Sequence, residues 1–426
     1  MHELTRMIKD DMVPALGVTE PGAIAFCAAK ARSLISGELV RLEIIMNSGM
    51  YKNADTCCIP NSRGFGSARA AALGFVAGDP EKGLNALASA TPEDDALAER
   101  YVRQGLVVTT LGDVSSRISI RALLETSAGA AEVAIQDTHT NIAYMAVNGE
   151  AVYEAPEAAA EPSAEAEEPH RIHAYTLKAL VDYVNNVPYE EIAFVMDAYK
   201  VNLALFEAGM RTPGLRFGKK LLAMNGGEVI SRDERRSASL LCNAAIEARV
   251  MGVPMPAMSI TGSGAHGIIA TLPLYAVVKI NRLSEEQLCR ATMLSYLVCT
   301  YIKEYSGRLS AFCGCGIAAG SGMAVALCWL KGGSLDAMAA TLNNMASSIT
   351  GMICDGGNQG CVMKGVAACA TAFDSVELAL GDAHVDGAHG INGPTPEATM
   401  RNMGLIASPG MVHTEETILR IQQEKK

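Results

Sequence analysis

The sequence predicts an α+β fold in which a mainly helical, discontinuous domain carries an inserted α/β module. Three observations lead there. Between residues 38 and 150, LVRLEIIMNS and RISIRALLET alternate as strands do, and AEVAIQDTHTNIAYMAVNG reads as a hairpin of two more. From residue 171 onward apolar residues recur at helical spacing with little interruption. The first 37 residues are helical in pattern too, so both chain ends are expected to share one helical domain. The expected order is therefore helical domain 1–37, α/β module 38–150, linker 151–170 and helical domain 171–426.

Each element has its own signal. VTEPGAIAFCAAKARSLI opens on a helix start, with Thr19 as N-cap and Glu20 and Pro21 in the first turn. Within the module, SARAAALGFVAG and PEDDALAERYVRQG read as helices between strands. EAVYEAPEAAAEPSAEAEEPH, residues 150 to 170, is acidic and rich in Ala and Pro, so it cannot bury a core and reads as solvated linker. HAYTLKALVDYVNNV, YEEIAFVMDAYKVNLALFEAGM, SASLLCNAAIEARVMG and EEQLCRATMLSYLVCTYIKEYSG are helices by period. Two stretches lack charge, Met251 to Val278 and Leu309 to Leu330, and by length alone either could span a bilayer. Pro254, Pro256 and Pro273 would leave backbone groups unsatisfied in lipid, and the Gly, Ala, Ser and Cys of the second suit close helix packing. Both read as buried core, and no membrane partner is expected.

Composition removes several function classes. The net charge is −11, from 35 Lys and Arg against 46 Asp and Glu, and no basic cluster offsets it, so no nucleic-acid partner is expected. No phosphate-binding G-x-x-x-x-G-K-[ST] loop occurs, which disfavours phosphoryl transfer. The opening MHELTRMIKDDMVPALG has no apolar secretory core, so a cytoplasmic chain with reduced thiols is expected. A small-molecule substrate fits this profile, and the uncharged run from Leu309 leaves a homo-oligomer open.

The chemistry sits where local patterns break. Of the 12 cysteines, Cys27, Cys242, Cys289, Cys299, Cys328 and Cys369 lie in apolar helical patterns and read as small core residues. Cys57–Cys58, Cys313-Gly-Cys315, Cys354 and Cys361 lie beside Gly or Pro turns instead. Cys315, Cys354 and Cys361 could meet if two helical hairpins face each other, and three thiolates suit an iron–sulfur cluster with one iron left open. Thiols lining a small-residue core are the competing reading. ITGSGAHG, with Thr261, Ser263 and Gly264, could converge backbone N–H groups on a carboxylate or could be a plain turn. His266 within it could serve as a base near neutral pH or be a surface or hydrogen-bonded residue. Lys52 and Asn53 follow a strand and could orient a carboxylate or form an exposed turn. The start at Thr19 and Glu20 could cap a helix alone or also present N–H groups to an anion.

In order along most of the chain, LGVTEPGAIA, YKNADTCCIP, GDPEKGL, SITGSGAHGIIATLPL, CGCGIAAGSG and GMICDGGNQGCVMKG resemble the L-cysteine desulfidase family, which is similar to the α-region of iron–sulfur L-serine dehydratases. The resemblance implies a [4Fe–4S] cluster held by Cys354, Cys361 and one of the Cys-Gly-Cys pair, with Cys315 preferred to Cys313 because it precedes the helix start GIAAGSG. It implies β-elimination from a small amino or hydroxy acid without pyridoxal phosphate, with Thr19, Glu20, Lys52, Asn53, Thr261, Ser263 and Gly264 binding substrate. Three stretches depart from the family pattern. Val18 stands where the family has a cysteine proposed as base, Ser263-Gly264-Ala265-His266-Gly267 stands for Ser-Gly-Asn-Gln-Gly, and DTCCIPNS replaces a glycine-rich GVGIPGT. His266 is the candidate to take over proton transfer. The competing function is a non-catalytic homologue that binds a cluster or a small ligand.

Overall fold

The computed structural model describes residues 1–156, 171–307 and 309–425. Among these, β1 (Val13–Leu16) and β8 (Pro256–Ser259) form an antiparallel pair. The strands β2 (Leu39–Met46), β3 (Val107–Leu111), β4 (Ser119–Thr126), β5 (Gly129–Gln136), β6 (Ile142–Val147) and β7 (Glu150–Glu154) form a six-stranded sheet in the order β3-β2-β4-β5-β6-β7. Only β2 and β3 run parallel in it. Burial alternates along β4 and β5, with Ile120, Ala122, Leu124, Val133 and Ile135 facing inward while Arg121 and Glu132 pair on the open face.

The sheet extends past the expected boundary. Asn148 (φ 50°) and Gly149 (φ 84°) make the two-residue reversal that hairpins favour, and the chain returns as β7 against β6. Residues 151–154 are therefore strand and not linker. The rest of the acidic linker, 157–170, lies outside the described residues.

The chain ends divide differently from the expectation. The helix Glu3–Asp11 packs on the long helix Glu285–Ser306, as a shared helical domain requires. The helix Thr19–Leu34 instead packs on β4, β5 and the helix Ser67–Ala77, and its Ala23, Ile24, Cys27 and Ala28 join one core with Leu42, Ile44, Ile120 and Val133. The physical reason lies in composition. Its small residues are buried nearly all round, and an added Cβ at Gly74 of the neighbouring helix would sit 2.3 Å from the Ala25 carbonyl oxygen. Such a flat surface suits close contact with a sheet and a second helix.

The larger core belongs to the helices after 171. The helix Gly320–Leu330 lies against Glu285–Ser306, and a Cβ at Gly322 would fall 2.2 Å from the Ser295 carbonyl oxygen. That contact explains the small residues of the uncharged stretch. Gly322→Ala is expected to destabilise by about 1–3 kcal/mol, read by denaturant unfolding, because neither backbone can yield without shifting a packed helix. An unchanged midpoint would refute the close approach. Among the described residues, no helix is long and apolar enough to cross a membrane.

The short β1–β8 pair, which periodicity does not reveal, positions the site. β1 runs through Gly17 (φ 69°) into the helix at Thr19, and β8 runs through Thr261 (φ 50°) and Gly262 (φ 75°) into the helix Gly264–Asn281. The strands are antiparallel and exit at opposite ends, and the turn closed by Ile260 and Ser263 returns Gly264 to Arg249, whose Nη2 reaches Thr19 Oγ1 at 3.2 Å.

Candidate functional site

The cysteine loops meet through backbone pairing. Phe312 bridges Ile353, the Cys313 N–H donates to the Met352 carbonyl at 3.0 Å, and the Cys354 N–H donates to the Ala311 carbonyl at 2.6 Å. Cys361 follows in the first turn of the helix Gly360–Leu380, where the Gly360 N–H donates to Asn358 Oδ1 at 2.7 Å. The glycine knot between them is steric in origin. A Cβ at Gly356 (φ 102°) would lie 2.5 Å from the Lys52 carbonyl oxygen, and one at Gly357 would lie 2.9 Å from Val18 Cγ1 and 3.3 Å from Cys57 Cβ. Only a bare backbone lets the loop rest on the helix Ser48–Ala54.

The four thiols of Cys313, Cys315, Cys354 and Cys361 are free and interact electrostatically. Lys364, one turn beyond Cys361, is ion-paired with Asp355. Burial opposes its charge, yet Cys354, Cys313, Cys361 and Asp355 push its pKa up. The Cys315 hydrogen bond, with help from Lys364 and the Gly316 N–H, brings the Cys313 thiol down to about 7 against the cost of burial. The same hydrogen bond, with burial, raises the Cys315 thiol. Burial raises Cys354, and it raises Cys361 to about 11. Among the described residues, no three His, Cys, Asp or Glu side chains gather as a single metal ion needs. Cys57 and Cys58 are also raised, chiefly by burial.

Asn53 joins this group to the first helix start. Its Nδ2 donates to Glu20 Oε1 at 2.8 Å, its carbonyl accepts the Gly357 N–H at 3.2 Å, and its Oδ1 accepts from Cys354 Sγ at 3.8 Å. Lys52 and Asn53 are helical rather than in an exposed turn, because Ser48–Ala54 folds back under the loop. Lys52 is fully buried, and its Nζ reaches Glu415 Oε2 at 2.7 Å and the Ser310 carbonyl at 3.1 Å.

His266 is not a surface residue. It is buried in the first turn of its helix, with Nδ1 2.5 Å from Thr261 Oγ1. The Thr261 hydroxyl also donates to the Ile260 carbonyl at 2.8 Å. The ring's Nε2 is directed at Gly314, where an added Cβ would fall 2.6 Å away, between Cys313 and Cys315. Ser263 is the N-cap of this helix and makes no side-chain cap bond, and Gly264 begins it against Arg249.

The structure therefore brings Thr19, Glu20, Asn53, Thr261, Ser263, Gly264, His266 and the thiols to one region. Lys52 is beside it but engaged by Glu415. Sequence reasoning missed Lys364, Glu415 and Arg249. Lys364 was findable as the cation three residues after Cys361; Arg249 was findable as a charge inside the otherwise apolar ASLLCNAAIEARV.

The chain matches the serine dehydratase alpha chain family over residues 81–420. It is 38% identical to a UPF0597 protein of Clostridium botulinum over 424 residues, covering 99% of this chain and 98% of that one. A UPF0597 protein of Desulfatibacillum aliphaticivorans is 35% identical, covering 97% and 96%, and one of Clostridioides difficile is 34% identical, covering 98% of each. Matches of this extent span the helix starts and both cysteine loops, and the chain belongs to the serine dehydratase alpha chain family.

Proposed function

We propose that the protein is an iron–sulfur-dependent lyase that eliminates a β-substituent from a small 2-amino or 2-hydroxy acid. The carrying observation is the backbone pairing that sets the Cys313 and Cys354 loops side by side, with Cys361 in the helix turn that follows and the His266 Nε2 directed at Gly314. Soft thiols with a buried cation suit an iron–sulfur cluster better than a hard ion. The arrangement favours Cys313 over Cys315 as third ligand. Its Sγ accepts the Gly316 N–H at 3.5 Å, and amide hydrogen bonds to sulfur stabilise ligating thiolates. When bound, the cluster would supply Lewis-acid assistance to the leaving group.

The chain's own residues supply the rest. Thr261 holds the His266 ring through Nδ1, which leaves Nε2 to take a proton from the α-carbon of a substrate lying over Gly314. Val18, buried at 2% exposure against the Gly357 backbone, offers no proton acceptor and leaves that role to the imidazole. Asn53 ties Glu20 to the Cys354 loop and so fixes the site's floor.

Anaerobic purification followed by iron, sulfide and turnover assays on a panel of amino and hydroxy acids tests the reading. A loaded protein that turns over none of them would favour the non-catalytic alternative. His266→Ala is expected to slow α-proton exchange in deuterated buffer by about 10²–10⁴-fold while leaving iron content unchanged. Undiminished exchange would remove His266 from the reaction.

A further inference from the structure

The helix Glu234–Val250 ends with two buried charges that are treated unequally. Glu247, 2% exposed, accepts backbone N–H groups from Arg216 at 2.7 Å, Phe217 at 3.0 Å and Gly218 at 2.8 Å. Arg249, 4% exposed, makes one hydrogen bond, from Nη2 to Thr19 Oγ1 at 3.2 Å. Its Nε has no partner. Among the described residues it enters no ion pair within 4.0 Å. A buried guanidinium with five N–H donors and one neutral acceptor is costly, since an uncompensated charge in the interior lowers stability by several kcal/mol.

The place where it ends is built for negative charge. Thr19 begins a helix of 16 residues and Gly264 one of 18, and neither N-cap residue supplies a side-chain acceptor to the first turn. Gly264 also makes room for the arginine, because a Cβ there would lie 2.7 Å from Arg249 Nε. The charges can be summed. Two helix starts contribute roughly half a positive charge each and the guanidinium one more. Glu20, in the first turn at Thr19, returns one negative charge. Asp11, which accepts the Thr261 N–H before the Gly264 start, opposes the positive charge further, so the net does not exceed about +1, which suits a monoanion and not a phosphate dianion.

We infer that Arg249, with the helix starts at Thr19 and Gly264, is a carboxylate-binding site that takes a small monocarboxylic acid. The Cys58 N–H donates to the Val250 carbonyl at 3.2 Å, next to Arg249, and Cys57 adjoins Gly357 of the cysteine loop, so an acid held there lies near that loop. The inference rests on the proposed reaction only in making this acid the substrate; binding itself is read without turnover. Arg249 is then a positioning residue whose buried charge is compensated on loading.

The test uses anaerobically purified protein, thermal unfolding and calorimetric titration with glycolate, L-lactate and L-serine, their three amides, and inorganic phosphate. At least one acid is expected to bind and raise the melting temperature, while its amide and phosphate do not. Arg249→Met should weaken binding of that acid at least about tenfold, as loss of a charge-assisted pair does, and its unliganded melting temperature should equal or exceed that of the wild type. Arg249→Lys, which keeps the charge but not the fork, should bind with intermediate affinity. Gly264→Ala should weaken binding by displacing the guanidinium. The inference is overturned if no acid binds the wild type, if amides or phosphate bind as well, or if Arg249→Met retains affinity. A lower unliganded melting temperature for Arg249→Met with acid binding retained would make the arginine structural. Should Arg249→Met not fold, unchanged binding by both Arg249→Lys and Gly264→Ala overturns it. Acid binding through Arg249 in protein that never assembles a cluster would sink the lyase reading and leave this one standing.

Discussion

Serine at Cys313, Cys354 or Cys361 is expected to abolish the visible absorbance and the iron and sulfide content of anaerobically reconstituted protein. Each change replaces a soft, ionisable sulfur with a hydroxyl that holds iron poorly. Cys289→Ala is the control, because that thiol donates to the Ile192 carbonyl at 3.3 Å within the helical core, apart from the cysteine loops. Cys315→Ser discriminates between the neighbours. Because Cys313 is the thiol that accepts the Gly316 N–H, loss of the Cys315 thiol should leave iron content near that of the wild type. Full iron in Cys313→Ser with none in Cys315→Ser would restore Cys315 as ligand. Full iron in Cys354→Ser/Cys361→Ser would reject the cluster site outright.

Lys52→Met is expected to lower the unfolding free energy by about 3–5 kcal/mol, the usual cost of leaving one partner of a buried pair alone. The lysine is 0% and Glu415 6% exposed at the side chain, so solvent cannot take over the lost partner's role. Glu415 Oε1 already lacks a hydrogen-bond partner, which leaves Lys52 as the carboxylate's charge compensation. The pair ties two parts of the chain that are far apart. Glu415 belongs to the helix Val412–Gln423, whose Leu419 enters the core of the sheet module and whose Gln422 Nε2 donates to the Asp355 carbonyl at 2.8 Å. Lys52→Met/Glu415→Leu should recover most of the loss, because two apolar groups of similar size need no compensation. Denaturant midpoints decide the matter. A single variant within about 1 kcal/mol of the wild type would show that water reaches the pair.

The acid-binding arginine and this ion pair illustrate a common difficulty in reading a chain. Arg249 and Lys52 are unremarkable letters in the sequence, each inside a helical stretch. Their burial, and the presence or absence of a partner 363 positions away for Lys52, depends on which distant helix lands beside them. Periodicity is a local property and carries no information on that contact.

The sequence by itself determined the strand and helix types, because alternation at period two and recurrence at 3.6 follow directly from backbone geometry. It also determined which cysteines stand apart, since the glycines beside Cys313, Cys315, Cys354 and Cys361 set them apart from the long apolar runs that hold the core cysteines. Only the tertiary structure decided where the helix from Thr19 packs. Its small residues fit either a helix or a sheet, and the choice fell to the flat face of β4 and β5. The β1–β8 pair was likewise invisible, four residues on each side being too short for a pattern. Yet that pair, with the turn that follows β8, holds two helix starts around Arg249 and directs His266 toward the cysteine loop. Long-range register of this kind comes from summed packing of distant surfaces, and no short stretch of sequence contains it.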